Sequence, residues 1–356
     1  MWRIEARESV PRGLVLLAPL LAVAATLVLT TGLLWLSGAN VWTAYGSLLV
    51  GALGSRLALS ETLTRAIPLI LTGLGVAVAF RARLWNIGAE GQFYVGALLA
   101  TVVGSGSLEA PGWILIPLMA AAGVAAGGLL LGIPVWLKVR FQVDEVVTTL
   151  LLNFIVVLVI SYLLEGPLKD PMSLGWPQAA PILNQGLLPK LVPRTRLHAG
   201  LLMGLVLAVA IWVMHRWTIW GYEMRAVGAN PEAARFLGIP VGRVLLFTAL
   251  LSGGLAGLAG VSEVTGLKGY LTLDLSPGFG YTGIVVAMLA QLHPLGVVGA
   301  AIFIAGIYVG ADSMSRSLGI TTYIADVMVA TALMAMLVSL WMIRFRIRRT
   351  APTPKP

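Results

Sequence analysis

The chain has no cysteine, which excludes disulfides and thiolate metal sites and leaves the redox state of its compartment open. Charge is scarce as well. Charged residues make up 11% of the 356 positions, against about a quarter in ordinary soluble domains. That is too little to cover a soluble globule, and with 58% hydrophobic residues and a mean hydropathy of +0.91 the chain reads as an integral membrane protein. Histidine is limited to positions 198, 215 and 293, in separate loops. No GxxxxGK[ST], HExxH or GxSxG pattern occurs, so no phosphate-loop ATP site and no catalytic constellation is expected, and no cofactor in this chain. The net charge of +9 is spread through short loops without a compact basic face, which argues against a nucleic-acid partner and for a lipid bilayer with positive-inside topology.

What is present is a series of apolar runs. They fall at about 13–37, 64–80, 81–103, 113–137, 146–164, 199–215, 244–261, 281–292, 295–312 and 322–343, most of them long enough to span hydrocarbon. The expected fold class is therefore an all-α polytopic membrane protein of about ten transmembrane helices. Residues 1–12 form a cytoplasmic N-terminal segment, 13–343 the membrane domain and 344–356 a basic cytoplasmic tail. With the N-terminus inside, 16 of the 24 basic residues fall on the inner side, and ten spans return the C-terminus to that side. The stretch from about 38 to 61 reads as a linker. The proline-rich loop 165–198 reads as an ordered external cap of coil. Small-residue spacings such as Gly123 with Gly127 and Gly253 with Gly257 point to close helix packing in lipid.

The polar island 217–243, WTIWGYEMRAVGANPEAARFLGIPVGR, interrupts this pattern. Asn230 is a good N-cap, Pro231 suits the first helical position and Glu232 sits beside the positive helix end. Gly238 offers a left-handed stop and Pro240 prevents continuation. The helix so bounded is about two turns long, too short to be stable alone. It needs something to dock on.

Two further interruptions fall inside the apolar pattern. Aligning Gly91 with Gly280 sets GQFYVGALLA against GYTGIVVAML, and the five spans between them would make the copies inverted, so an inverted five-helix repeat is expected. Such paired interruptions flank transport sites, which makes Asn86, Glu90 and Gln92 in the first, and Ser276, Phe279 and Tyr281 in the second, candidates for a translocation path. The alternative reading is structural, with Asn86 capping a helix, Glu90 near its positive end, and Asp274 and Ser276 satisfying amides at the start of the second. A lone His293 before Pro294 marks a tight turn.

The segments FRARLWNIGAEGQFYVGALLA (80–100), GYEMRAVGANPEAARFLGI (221–239) and LDLSPGFGYTGIVVAMLAQLHPLG (273–296) together resemble the permease subunits of bacterial ABC importers in the branched-chain amino acid, ribose and nucleoside superfamily, most closely the nucleoside permeases. The resemblance implies that 13–343 is a permease domain in the bacterial inner membrane. It also implies that Arg225, Asn230, Pro231, Glu232, Ala233, Arg235 and Gly238 belong to a segment coupling it to a cytoplasmic ABC ATPase. ATP and Mg would then be bound by that ATPase. The other implied partners are a second permease, the same or related, and an extracytoplasmic solute-binding protein or lipoprotein. The implied solute is a nucleoside, with a simple sugar or branched-chain amino acid as alternatives. An ion-coupled secondary transporter is the competing class, and it would need a carboxylate cluster within the spans that this sequence does not display.

Overall fold

The computed structural model describes residues 2–6, 12–36, 38, 40–107 and 110–349. Residues 7–11 of the expected N-terminal segment and 350–356 of the expected tail lie outside them. The elements are β1 (Trp2–Ala6), α1 (Arg12–Leu36), α2 (Val41–Leu53), α3 (Arg56–Arg81), α4 (Ala89–Val102), α5 (Gly112–Phe141), α6 (Glu145–Glu165), α7 (Gly200–Trp217), α8 (Ile219–Ala229), α9 (Pro231–Phe236), α10 (Val241–Glu263), α11 (Phe279–Leu289), α12 (Pro294–Leu318), α13 (Ile324–Arg344) and β2 (Phe345–Arg349). π-helical turns extend α4 over Val103–Ser107 and α10 over Val264–Lys268.

Each apolar run read from the sequence contains a helix, but in 81–103 the helix begins only at Ala89 and in 281–292 it ends at Leu289. Among the described residues six helices are long and apolar enough to cross a membrane, or seven spans if α1 and α2 count as one bent span, while α11 is short. The protein is therefore a multi-pass helical membrane protein. The stretch 38–61 is not a linker. It holds α2 and the first turn and a half of α3, because VWTAYGSLLVGAL is apolar and free of proline and Ser55 caps α3 by accepting the Ala58 N–H at 3.0 Å.

Two compact units divide the chain, residues 1–51 with 310–356, and residues 52–309. In the first, α1 packs on α13 and β1 pairs with β2 antiparallel, Trp2 opposite Arg349 through Ala6 opposite Phe345. The second is built around α10, which packs on α5, α4 and α3. Glycine permits these approaches. A Cβ on Gly257 would lie 2.2 Å from the Gly123 carbonyl oxygen, one on Gly127 2.3 Å from that of Gly253, and one on Gly260 1.9 Å from that of Phe93. The small-residue spacings thus mark backbone-to-backbone contact, where dispersion and close approach replace the missing hydrophobic drive between helices in lipid.

The loop 165–198 packs across the ends of α4 and α10 in the same unit. Its backbone amides at Ala179, Ile182, Leu183 and Leu188 donate to the carbonyls of Leu271, Gly269, Gly104 and Thr265 at 2.8 to 3.0 Å, so a segment that is mostly coil still pairs these backbone groups. At its end His198 is fully buried, and its Nδ1 accepts the Gly200 N–H at 3.2 Å. Its ring fills the space that a Cβ on Gly266 would need, 2.3 Å away.

Burial pushes the His198 imidazole down to about 4. The unfolded chain, with an ordinary histidine, takes up the proton at higher pH, so the stability contribution is complete above about pH 6.5 and is lost as pH falls toward 4, a span of roughly 3 kcal/mol. Melting of the purified chain is expected to fall more steeply between pH 7 and 4.5 in the parent than in His198→Asn, which keeps an acceptor for Gly200 without the titrating ring. Parallel pH profiles for the two would contradict this.

Candidate functional site

The two interrupted segments meet. After α3 the chain leaves helical geometry at Ala82, with Arg83 at φ 52°, and re-enters a helix at Ala89. After α10 it leaves at Gly269, φ 80°, and re-enters at Phe279 behind Gly278, φ 92°. Gly280 of α11 lies so close to α4 that a Cβ there would be 2.2 Å from the Glu90 nitrogen. Gly280 therefore meets the backbone at Ala89 and Glu90, while the adjacent Gly91, with which it aligns in the sequence, faces Asn153 and Val156 of α6.

Glu90 is buried in the first turn of α4, and its Oε2 accepts the Gly280 N–H at 2.6 Å. The carboxylate thus answers the positive end of α11 as well as that of its own helix. Ser276 completes the joint. Its hydroxyl oxygen accepts the amides of Gly278 and Phe279 at 3.1 and 2.8 Å. Asp274, expected to share this capping, instead turns outward and pairs with Lys268 at 3.1 Å.

Asn86 and Gln92 are both buried and satisfy each other. Asn86 Nδ2 donates to Gln92 Oε1 and Gln92 Nε2 donates to Asn86 Oδ1, each at 2.9 Å, with a further bond from Asn86 to Ser252 Oγ on α10 at 3.1 Å. Asn86 also accepts the Gly88 N–H at 2.9 Å and so braces the turn before α4, but the N-cap position is Gly88 and no side chain caps that helix. Phe279 is buried 6.1 Å from Phe93, centroid to centroid, whereas Tyr281 is 39% exposed. The structure therefore brings the six candidates into one neighbourhood, with Ser276 and Tyr281 its more open members.

One residue that binds this neighbourhood together was not singled out from the sequence. Asn153 of α6 is buried. Its Oδ1 accepts the Gly91 N–H at 2.8 Å, and its Nδ2 donates to the Ile87 carbonyl at 2.9 Å and to the Tyr281 hydroxyl at 3.1 Å. The signal was available: an amide alone in LLLNFIVVLVI must find partners at membrane depth. Thr72 of α3 adds a second link by donating to the Phe279 carbonyl at 3.1 Å. Glu90→Ala is expected to strand the Gly280 amide and destabilise the chain by about 2 kcal/mol, with Glu90→Gln, which keeps an acceptor, losing less than half of that. Thermal melting of the two variants beside the parent measures both, and equal losses would contradict the assignment.

The polar island separates into two helices. In α8, Thr218 caps by accepting the Gly221 N–H at 3.3 Å, and a Cβ on Gly228 would lie 2.1 Å from the Arg81 carbonyl oxygen, so α8 lies flush on the end of α3. In α9, Asn230 Oδ1 accepts the amides of Glu232 and Ala233 at 2.9 and 3.1 Å, Pro231 stands in the first turn and Gly238 stops the helix at φ 81°. Ala234 is the residue of α9 that is buried. Glu232, Ala233 and Arg235 are exposed, and so are Phe236 at 93% and Leu237 at 69%. Arg225 of α8 is elsewhere: its guanidinium donates to the His215 carbonyl at the end of α7.

Comparison with known proteins bears on both features. The profile of the family described as branched-chain amino acid transport system / permease component matches residues 58–343. A glucose ABC transporter permease of Haloferax volcanii is 36% identical over 355 residues, covering 97% of this chain and 93% of the relative. A guanosine ABC transporter permease of Bacillus subtilis is 35% identical over 332 residues, 93% of this chain and 95% of the relative. A nucleoside ABC transporter permease of Lactococcus lactis subsp. cremoris is 29% identical over 324 residues, 88% of each.

Proposed function

This chain belongs to the branched-chain amino acid transport permease family of ABC transporters, and from that premise we propose that it forms the translocation path of a nucleoside importer and takes its power from a separate ATPase through α9. The observation that carries the reading is the tip of the polar island. A six-residue helix, capped at both ends, presents two bare apolar side chains, Phe236 and Leu237, to water. Exposed large apolar groups on a rigid short element suit an anchor that fills a pocket on a partner. Glu232 and Arg235 flank them and set register more than affinity.

The rest follows from this docking. Closure of the ATPase dimer on ATP and Mg moves α9, and α8, seated on the ends of α3 and α7, carries the movement to the joint between α4 and α11. A switch of this kind needs contacts that differ between two states. The Glu90–Gly280 bond and the Asn153 links are compact enough to be made in one state and broken in the other, with Ser276 and Tyr281 facing the solute. Ten spans in an inverted five-helix arrangement and cytoplasmic termini fit the pairing of β1 with β2, since an even number of crossings returns the chain to its starting side. We assign the protein to the bacterial inner membrane, with a second permease, the same or related, and an extracytoplasmic binding protein or lipoprotein completing the importer.

Nucleoside is preferred because two of the three relatives described above carry guanosine or nucleoside in their names. A simple sugar is the second reading, since another is named a glucose permease at 36% identity. Proteoliposomes holding the full importer and its binding protein distinguish them. Labelled guanosine is expected to accumulate and to be displaced by excess unlabelled nucleosides but not by glucose. Displacement by glucose alone would exchange the two readings.

A further inference from the structure

At the end of the second unit that carries α8, the side chains of Arg81, Trp212, His215, Arg216, Arg225 and His293 line a cavity of about 480 Å³. They come from the ends of α3 and α7, from α8 and from the turn before α12, and no carboxylate is among them. None of the three arginines has a carboxylate within 4.0 Å among the described residues, where the ion pairs are Lys138 with Glu145, Arg196 with Glu61 and Lys268 with Asp274. Two of the guanidiniums are held in place by backbone oxygens. Arg81 Nη1 donates to the Leu292 carbonyl at 3.2 Å and Arg225 Nη1 to that of His215. Each keeps its remaining N–H groups for another acceptor.

His215 supplies an independent observation. It is 4% exposed, faces the cavity, and neither of its ring nitrogens has a hydrogen-bond partner. A buried imidazole N–H left unmatched is costly, and the half-buried guanidiniums of Arg81 and Arg225 beside it, with the exposed Arg216 at the mouth, make the cavity strongly positive. One acceptor-rich anion would answer all four groups. The walls are already formed, because Gly221 and Gly228 let α8 close directly on the backbone of α7 and α3. The tryptophans around it suit the depth of a membrane interface. Trp212 stacks edge-on with Trp217 at 4.8 Å, and Trp217 and Trp220 are 65% and 48% exposed, as in an aromatic belt at headgroup level.

We propose that this cavity binds a phosphate-bearing anion, its oxygens shared among Arg81, Arg225 and His215 with Arg216 at the rim. Guanidinium forks match phosphate oxygens in geometry and charge, and basic pockets between spans at the inner face take lipid headgroup phosphates. The cavity exceeds the volume of inorganic phosphate and leaves room for a headgroup. The site does not depend on the docking of α9.

Native mass spectrometry of the detergent-purified full chain, titrated with phosphatidylglycerol or phosphatidylcholine and with or without inorganic phosphate, tests it. The parent is expected to retain phosphatidylglycerol and not phosphatidylcholine, and Arg225→Gln to weaken that retention about tenfold. Arg216→Glu, at an exposed position where folding is not at stake, should weaken it as well. Displacement by inorganic phosphate supports a site for the phosphate group itself, and retention untouched by it supports one for the headgroup. Equal retention of the two lipids without any phosphate binding, or variants that retain the lipid as the parent does, would overturn the proposal. So would a chain that binds neither lipid nor phosphate, which is the outcome if an acidic side chain of the ATPase fills the cavity.

Discussion

Gly260→Leu yields no folded monodisperse protein, and Gly260→Ala lowers stability by about 3 kcal/mol or more, because the first added atom has nowhere to go. At 1.9 Å from the Phe93 carbonyl oxygen a Cβ overlaps backbone, which has no rotamer to yield. α4 must move away from α10, and with it goes the close packing of Gly96 against the Gly257 backbone, where a Cβ would stand 2.2 Å from the carbonyl oxygen. The effect is specific to the crossing. Gly299 lies in α12 with nothing within 4 Å of its Cβ position, so Gly299→Ala should be neutral or stabilising by roughly 0.5 kcal/mol. Size-exclusion profiles and melting curves of the three variants decide the matter. A well-folded Gly260→Leu would mean that the α4–α10 contact is not as close as described.

Phe236→Asp weakens association with the ATPase by about thirtyfold or more while leaving the isolated permease as stable as the parent. The asymmetry follows from exposure. At 93% exposed, Phe236 stabilises nothing in the free chain, so its removal costs nothing there. If it fills a pocket on the partner, truncation forfeits an anchor worth about 2 kcal/mol or more, and the carboxylate adds a desolvation cost. Leu237→Asp acts in the same direction. Co-purification and a binding titration with the ATPase measure the effect. An unchanged affinity with both residues replaced would remove α9 as the docking element. Asn230→Ala separates cap from contact, since it loosens the helix through the amides of Glu232 and Ala233 and should weaken binding less.

The sequence made the helices legible because the bilayer permits little else: apolar length, glycine spacing and the short capped helix at 231–236 all follow from local rules. It misled at 38–61, where α2 is apolar but, at 13 residues, too short to read as a span, and the start of α3 is polar. The candidate site was legible as two polar interruptions, which meet where Gly280 abuts the backbone at Glu90. Its bonding was not legible. Glu90 is satisfied by an amide 190 positions away, a contact that no local pattern encodes. Asn153 was passed over because a single amide does little to the hydropathy of an apolar run. The inward turn of Arg225 had the same cause, since sequence proximity to α9 says nothing of which way a side chain leaves α8. The basic cavity escaped notice for a related reason: its residues come from four places in the chain, and only the fold gathers them.

On the function proposed above, this permease moves its solute on ATP hydrolysed by a partner docked at α9. Uptake of labelled guanosine into proteoliposomes, with permease, ATPase and binding protein present, tests it most directly when ATP and an imposed ion gradient are supplied separately. Accumulation is expected with ATP and not with the gradient, and the ATP-driven signal is expected to be lost with Phe236→Asp. Accumulation driven by the gradient in vesicles without the ATPase would contradict it.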